Sequence, residues 1–210
     1  LPASASLWTR RSAVSEKDLY PIFNVPLGSL VDHLYWTMLY MTNGSQATAR
    51  SYLDIPFTLP DLVPEASDGV ELKIYVKGRG ALAQNPAHHV GVYVNNIPYL
   101  VADSTFNTQD PLVLSYNLPA SYFTPGANVV RFQVIGDQVT AGDSDLVFLD
   151  RAEIDYPARF SAIGGIAKIV NDQPGKVLTV TGFSDPVSVV VYDVSDIGEV
   201  LKLDLPALFS

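Results

Sequence analysis

The sequence predicts an all-β protein, a jelly-roll-type antiparallel β-sandwich followed by a small β-module. Three observations lead there. Runs such as GVELKIYVKG and NVVRFQVI alternate apolar and polar residues with period two, the mark of strands that bury one face. Fifteen prolines and fourteen glycines punctuate the chain at short intervals, as a sandwich of many short strands requires. No stretch carries a helical period over about twelve residues, and no strand–helix–strand alternation occurs.

The elements follow in order. The first thirty residues lack steady periodicity and are expected to wrap a surface, with one helical turn at Ser15–Leu19. HLYWTMLYM, from His33, alternates Leu34, Trp36, Met38 and Tyr40 and reads as a strand. It is followed by a turn signal at Asn43-Gly44. SYLDIPFTLP reads as an edge or bulged strand, because Pro56 cannot donate to a ladder. GVELKIYVKG directs Val70, Leu72, Ile74 and Val76 to one face and Glu71, Lys73, Tyr75 and Lys77 to the other.

HHVGVYVNNIPYLV reads as a hairpin with Asn95-Asn96 at its tip, where asparagine tolerates positive φ. PLVLSYNLP is a strand, and residues 119–128 hold a short helical turn at most. NVVRFQVI is an alternating strand. DLVFLDRAEIDY is apolar on both faces, as in a deep or bulged strand. The expected core is Val70, Leu72, Ile74, Val76, Val90, Val92, Val94, Val130, Phe132 and Val134. After Tyr156-Pro157 come three segments that read as short strands (AIGGIAKIV, KVLTVTGF, PVSVVVYDV), broken by turn signals. This places a boundary near Arg159, with a sandwich over 1–158 and a small β-domain, complete or truncated, over 159–210. Some 50 residues make a marginal core by themselves, on the order expected for so short a module.

Composition narrows the function classes. The 210 residues carry a formal charge of −9, from 22 acidic and 13 basic residues, with Arg10-Arg11 the one adjacent basic pair. Such a surface argues against nucleic acid and anionic membranes as partners. No apolar run approaches the roughly 18 residues of a membrane helix. There is no cysteine, which removes disulfides, thiolate metal sites and a cysteine nucleophile together. The chain starts at Leu1, consistent with either a processed terminus or an excised fragment.

Candidate chemistry is sparse. His33, His88 and His89 are the three histidines, and no metal-binding spacing joins them. His88 and His89 are neighbours on a strand and point to opposite faces, so they cannot share one ion; structural roles are expected. No G-x-S-x-G elbow occurs, and Ser45 and Ser184 lie in turns without a sequence-local histidine. No pair of carboxylates stands out for glycosidic work. The acidic stretch Asp137, Asp143, Asp145, Asp150, Glu153 and Asp155 is the best place for a metal. Gly142-Asp143-Ser144-Asp145 offers hard oxygen ligands for a structural calcium ion, with Asp143 and Asp145 as the ligands. Trp8, Trp36, Tyr75, Tyr93 and Tyr99 could stack on sugars but are expected to serve as core or rim. Asn43-Gly44-Ser45 fits a glycosylation sequon, relevant only in a eukaryotic secretory pathway.

Three segments together resemble a known family. NPAHHVGVYVNN is similar to a hairpin found upstream of the catalytic domain in gingipain-like cysteine peptidases. GANVVRFQV followed by FLDRAEIDYPARF resembles the strands that close that same β-domain. VLTVTGFSDPVSVVVYDVSDIGEVLKL resembles the segment leading into the peptidase. Asn96 stands where the family usually has glycine, Arg151 where it often has tryptophan, and Ala158 where it has arginine. The resemblance implies a non-catalytic accessory region of a larger, exported bacterial peptidase, extracellular or at the cell surface. The partners implied are the peptidase domain of the same chain and a glycan or cell-surface protein. Two alternatives stand beside recognition: a pro-region that shields the peptidase or assists its folding, and an independent structural or carbohydrate-binding module.

Overall fold

A computed structural model describes residues 8–21, 34–42, 50–79, 85–107, 109–140, 143–167, 169, 180–185, 188–196 and 198–203. The chain divides into two compact units, Arg10–Ala158 and one that includes the described residues from Arg159 onward.

The larger unit is built from strands β1 (Thr9–Glu16), β2 (Tyr20–Pro21), β3 (Leu34–Tyr35), β4 (Thr37–Thr42), β5 (Tyr52–Leu59), β6 (Val70–Arg79), β7 (His88–Val94), β8 (Ala102–Phe106), β9 (Pro111–Leu118), β10 (Gly126–Val134) and β11 (Ser144–Ala158). Four antiparallel pairs define its topology: β4 with β11, β5 with β10, β6 with β9, and β7 with β8. The first strand of the series pairs with the last, the second with the one before it, and so inward. That is a long double-stranded ribbon folded over on itself. Two further pairings, β11 with β6 and β10 with β7, roll the ribbon into two sheets. One sheet runs β1-β11-β6-β9 with β4 also on β11; the other runs β5-β10-β7-β8. This is a jelly-roll sandwich, the all-β class that the sequence predicts.

The core lies between the sheets, and the period-two pattern fills it. All ten side chains expected to be buried are at most 2% exposed. Val70, Leu72, Ile74 and Val76 face inward from one sheet; Val90, Val92, Val94, Val130, Phe132 and Val134 face them from the other. β11 is central, flanked by β6 and by β4, and its register shifts between Leu149 and Ala152. Burial on both sides and a bulge together explain its apolar sequence.

Several local readings differ from the structure. HLYWTMLYM is interrupted at Trp36, and β4 buries Thr37, Leu39 and Met41, not the Met38 and Tyr40 face. The described part of AIGGIAKIV is a bridged turn and not a strand. Thr9–Glu16 is a strand, with no helical turn at Ser15–Leu19; arginine and serine on its outer positions gave it no apolar alternation to read. The hairpin after His88 has a longer loop than two residues. Asn95 has the positive φ of 50°, but IPYLV is irregular and the return strand is ADSTF. Ile97 N–H bonds to the Val94 carbonyl, closing a turn at Asn95-Asn96, and Val101 N–H reaches the Val92 carbonyl where pairing resumes. Pro98, with no N–H to give, falls between those two bonds.

The smaller unit contains the antiparallel ribbon β12 (Val191–Asp193) with β13 (Leu201–Leu203), and a tight turn at Gly164-Gly165 closed by an Ile163–Ile166 bridge. The first half of KVLTVTGF, the sequon at Asn43 and the residues His33 and Gly142 lie outside the described residues. No helix among the described residues is long and apolar enough to cross a membrane.

Candidate functional site

The densest polar chemistry in the sandwich gathers around the first two residues of β7. Alternation along the strand sends His88 inward and His89 outward, as their adjacency requires.

His88 is fully enclosed. Its Nδ1 lies 2.6 Å from Oδ1 of Asp145, an equally enclosed residue at the start of β11, and its ring packs against Phe106 at 4.8 Å between centroids. β7 and β11 belong to different sheets, so this contact crosses the interior and fastens one sheet to the other. A carboxylate only accepts, so Nδ1 carries the proton. His88 Nε2 has no hydrogen-bond partner.

His89 sits on the outer face, 16% exposed, between two carboxylates. Its Nδ1 approaches both oxygens of Asp137, at 2.9 and 2.8 Å, and its Nε2 lies 3.1 Å from Oδ2 of Asp103. Asp103 comes from β8, diagonally across the ladder, and Asp137 from the connection between β10 and β11. Burial works against the charged ring, but the hydrogen bonds and charges of Asp137 and Asp103 outweigh it and raise the His89 pKa above the ordinary 6.5. The two carboxylates meet opposite ring nitrogens and do not converge on a point where an ion could sit.

Glycine makes the Asp137 arm possible. Gly136 has φ +76°, and a Cβ there would fall 2.2 Å from Cγ of the buried Met41. At the start of β7, Asn107 accepts from Ala87 N–H (2.7 Å) and donates to Asn85 Oδ1 (2.7 Å). A second polar knot ties the other end of the strand. Asn95 Oδ1 accepts from Val129 N–H (2.9 Å), and its Nδ2 donates to the Tyr122 carbonyl and to Asn128 Oδ1, both at 3.0 Å. Asn128, buried, donates to the carbonyls of Thr124 (2.8 Å) and Gly126 (2.9 Å). The segments NPAHHVGVYVNN and GANVV, which carry the family resemblance, are thus the ones that build these knots.

The proposed calcium ligands stand in different surroundings. Asp145 is the inward residue bonded to His88, while Asp143 lies in the loop before β11, accepting from Thr140 Oγ1 at 2.8 Å. Among the described residues no group of three or more histidines and carboxylates is arranged to hold a metal. Sequence reasoning had named Asp137, Asp145, His88 and His89 separately. Their meeting was not readable, because the pairs lie 48 and 57 residues apart.

The aromatic candidates stand in different settings, and Tyr52 joins them on the outer face. Trp36 is buried; Arg131 covers the ring of Tyr52 at 4.1 Å, and Arg151 covers Tyr75 at 3.7 Å. Arg131 also grips Asp54 through two bonds (2.7 and 2.9 Å), which hold that carboxyl below its usual range against the opposing effect of burial. The outer face of the other sheet is a ladder of ion pairs. Arg10 bonds Asp155, Lys73 bonds Glu71, and Arg151 bonds both Asp150 and Glu153. Tyr99 is exposed.

Comparison with known proteins finds no matching family model and no matching curated protein. Among solved structures, dimeric latent PorU from Porphyromonas gingivalis is similar with a TM-score of 0.51 at 14% identity, over 82% of this chain and 15% of PorU. The chain therefore spans a small fraction of that protein. Two CBM36 structures also match. One is the CBM36-1 domain of a multidomain xylanase from the hindgut metagenome of Trinervitermes trinervoides (TM-score 0.38, 13% identity, 69% of this chain and 96% of that one). The other is a CBM36 module in complex with calcium and xylotriose (0.35, 13%, 70% and 98%). At such identities the likeness concerns the fold.

Proposed function

We propose that this chain is a non-catalytic accessory region of a larger exported protein, acting beside a gingipain-like peptidase domain of the same polypeptide. The jelly roll serves as its rigid body, and the unit after Ala158 offers the docking surface. The observation that supports this most is the state of the β12–β13 ribbon. Val190, Tyr192, Val194, Val200 and Leu201 are all at least half exposed and lie together on or beside one short ribbon. Apolar surface grouped in this way suits a covering domain. The sequence resemblance names the kind of domain, and the likeness to a stretch of PorU is one of fold.

Glycan recognition takes second place. The rings of Tyr52 and Tyr75, which could stack on a sugar, already carry guanidinium groups on a face. The chemistry around His88 and His89 fits fastening rather than turnover.

The test begins with the reading frame that encodes the chain; lack of an α/β domain bearing cysteine and histidine in it would end the peptidase link. With such a domain attached, amide exchange at Val191–Asp193 and Leu201–Leu203 should slow by orders of magnitude relative to the chain by itself. Equal exchange in both forms would remove the docking role.

A further inference from the structure

We propose that His89 is a pH-sensitive fastener: as an imidazolium it ties the edge strand β8 to the β10–β11 connection, and loss of one ring proton opens that tie.

The argument starts from hydrogen-bond chemistry. Both partners of the ring, Asp103 and Asp137, are carboxylates about half exposed, and an ionised carboxylate only accepts. A neutral imidazole has one N–H and one lone pair, so it can serve one of them. Holding both nitrogens within 2.8–3.1 Å of carboxylate oxygens therefore requires two ring protons. When one leaves, a lone pair faces a negative oxygen at bonding distance and that arm must swing away. Asp137 engages Nδ1 through both oxygens, whereas Asp103 reaches Nε2 through a single, longer contact, so the Asp103 arm is the one released.

Each packed element contributes to the local field. Asp103 faces the ring from β8 and Asp137 from the connection, and Asp145 of β11 places Oδ2 3.5 Å from the His89 backbone nitrogen. All three are acidic, and the His88 ring is turned to the interior. The raised pKa of His89 agrees in direction. A raised folded-state value means the clamp is fully present below the unfolded-state pKa. It is lost as pH rises through the higher folded-state value.

The experiment is an NMR titration of the His89 ring with a chelator present, so that no bound cation enters, together with amide exchange at Ala102–Phe106 corrected for intrinsic rates. His89 should titrate above 6.5, the ordinary value, and exchange across β8 should quicken severalfold over the same pH interval. Asp103→Asn, at an exposed position, should lower the His89 midpoint and abolish the step in exchange. His89→Gln, whose two N–H donors share one nitrogen and cannot span carboxylates that sit at opposite sides of the ring, should exchange as the high-pH form at every pH. A wild-type midpoint at or below the ordinary histidine value, or one that Asp103→Asn leaves unmoved, would overturn the proposal.

Discussion

The sandwich and the unit that follows it are written in the same strand grammar and come to opposite ends. In β6, VELKIYVK places every second residue inward, and Val70, Leu72, Ile74 and Val76 are enclosed because a second sheet closes over them. In the smaller unit, VYD of PVSVVVYDV and LKL of EVLKL form the paired strands β12 and β13, yet Tyr192, Val194 and Leu201 remain open to solvent. Alternation is enough to make a strand pair. Burial needs a second layer, and two strands cannot supply one.

The largest expected effect lies in the better-packed region. Phe132→Ala removes a ring with no exposed surface and should destabilise the sandwich by about 3–5 kcal/mol. Chemical denaturation followed by the fluorescence of buried Trp36 would read this, and a loss below about 1 kcal/mol would mean the two sheets are not closely packed there. Asp145→Ala strands His88 in the interior without its partner. A cost of about 3 kcal/mol is expected from breaking a buried pair. A neutral outcome would show that the cross-sheet contact contributes little. In contrast, Leu201→Ser should change the denaturation of the chain by less than about 0.5 kcal/mol, because it removes nothing buried. A large loss there would erase the distinction between the two units. The smallest effect concerns calcium. With Asp145 committed to His88 and Asp143 to Thr140, melts with calcium and with a chelator should share one midpoint. A higher midpoint with calcium would restore Asp143 and Asp145 as ligands.

What the sequence disclosed follows the same division between local and distant causes. The faces of β6, β7 and β10 were legible, because alternation is a property of neighbours. β1 was hidden, since a polar edge strand has little apolar surface to alternate. Asn95 was correctly read as a positive-φ position, but its side-chain bonds to Tyr122 and Asn128 depend on where the ribbon folds back. The acidic stretch attracted notice as possible metal ligands. Two of its members, Asp137 and Asp145, instead meet histidines that precede them by about fifty residues, and only the closing of the jelly roll brings them together.

Gly136 has no chemistry of its own, yet it sets where the Asp137 carboxylate can be. Its left-handed backbone lets the chain pass directly over Met41 and emerge with Asp137 beside His89. An alanine there would be strained in φ and would also press on Met41, a buried residue of β4. The interior would then push outward on the loop, and a change of one methyl group in the wall would be felt as a displaced charge on the surface. Tolerance at this position is therefore governed by steric clearance beneath the chain, and a survey of ionisable residues alone would miss it.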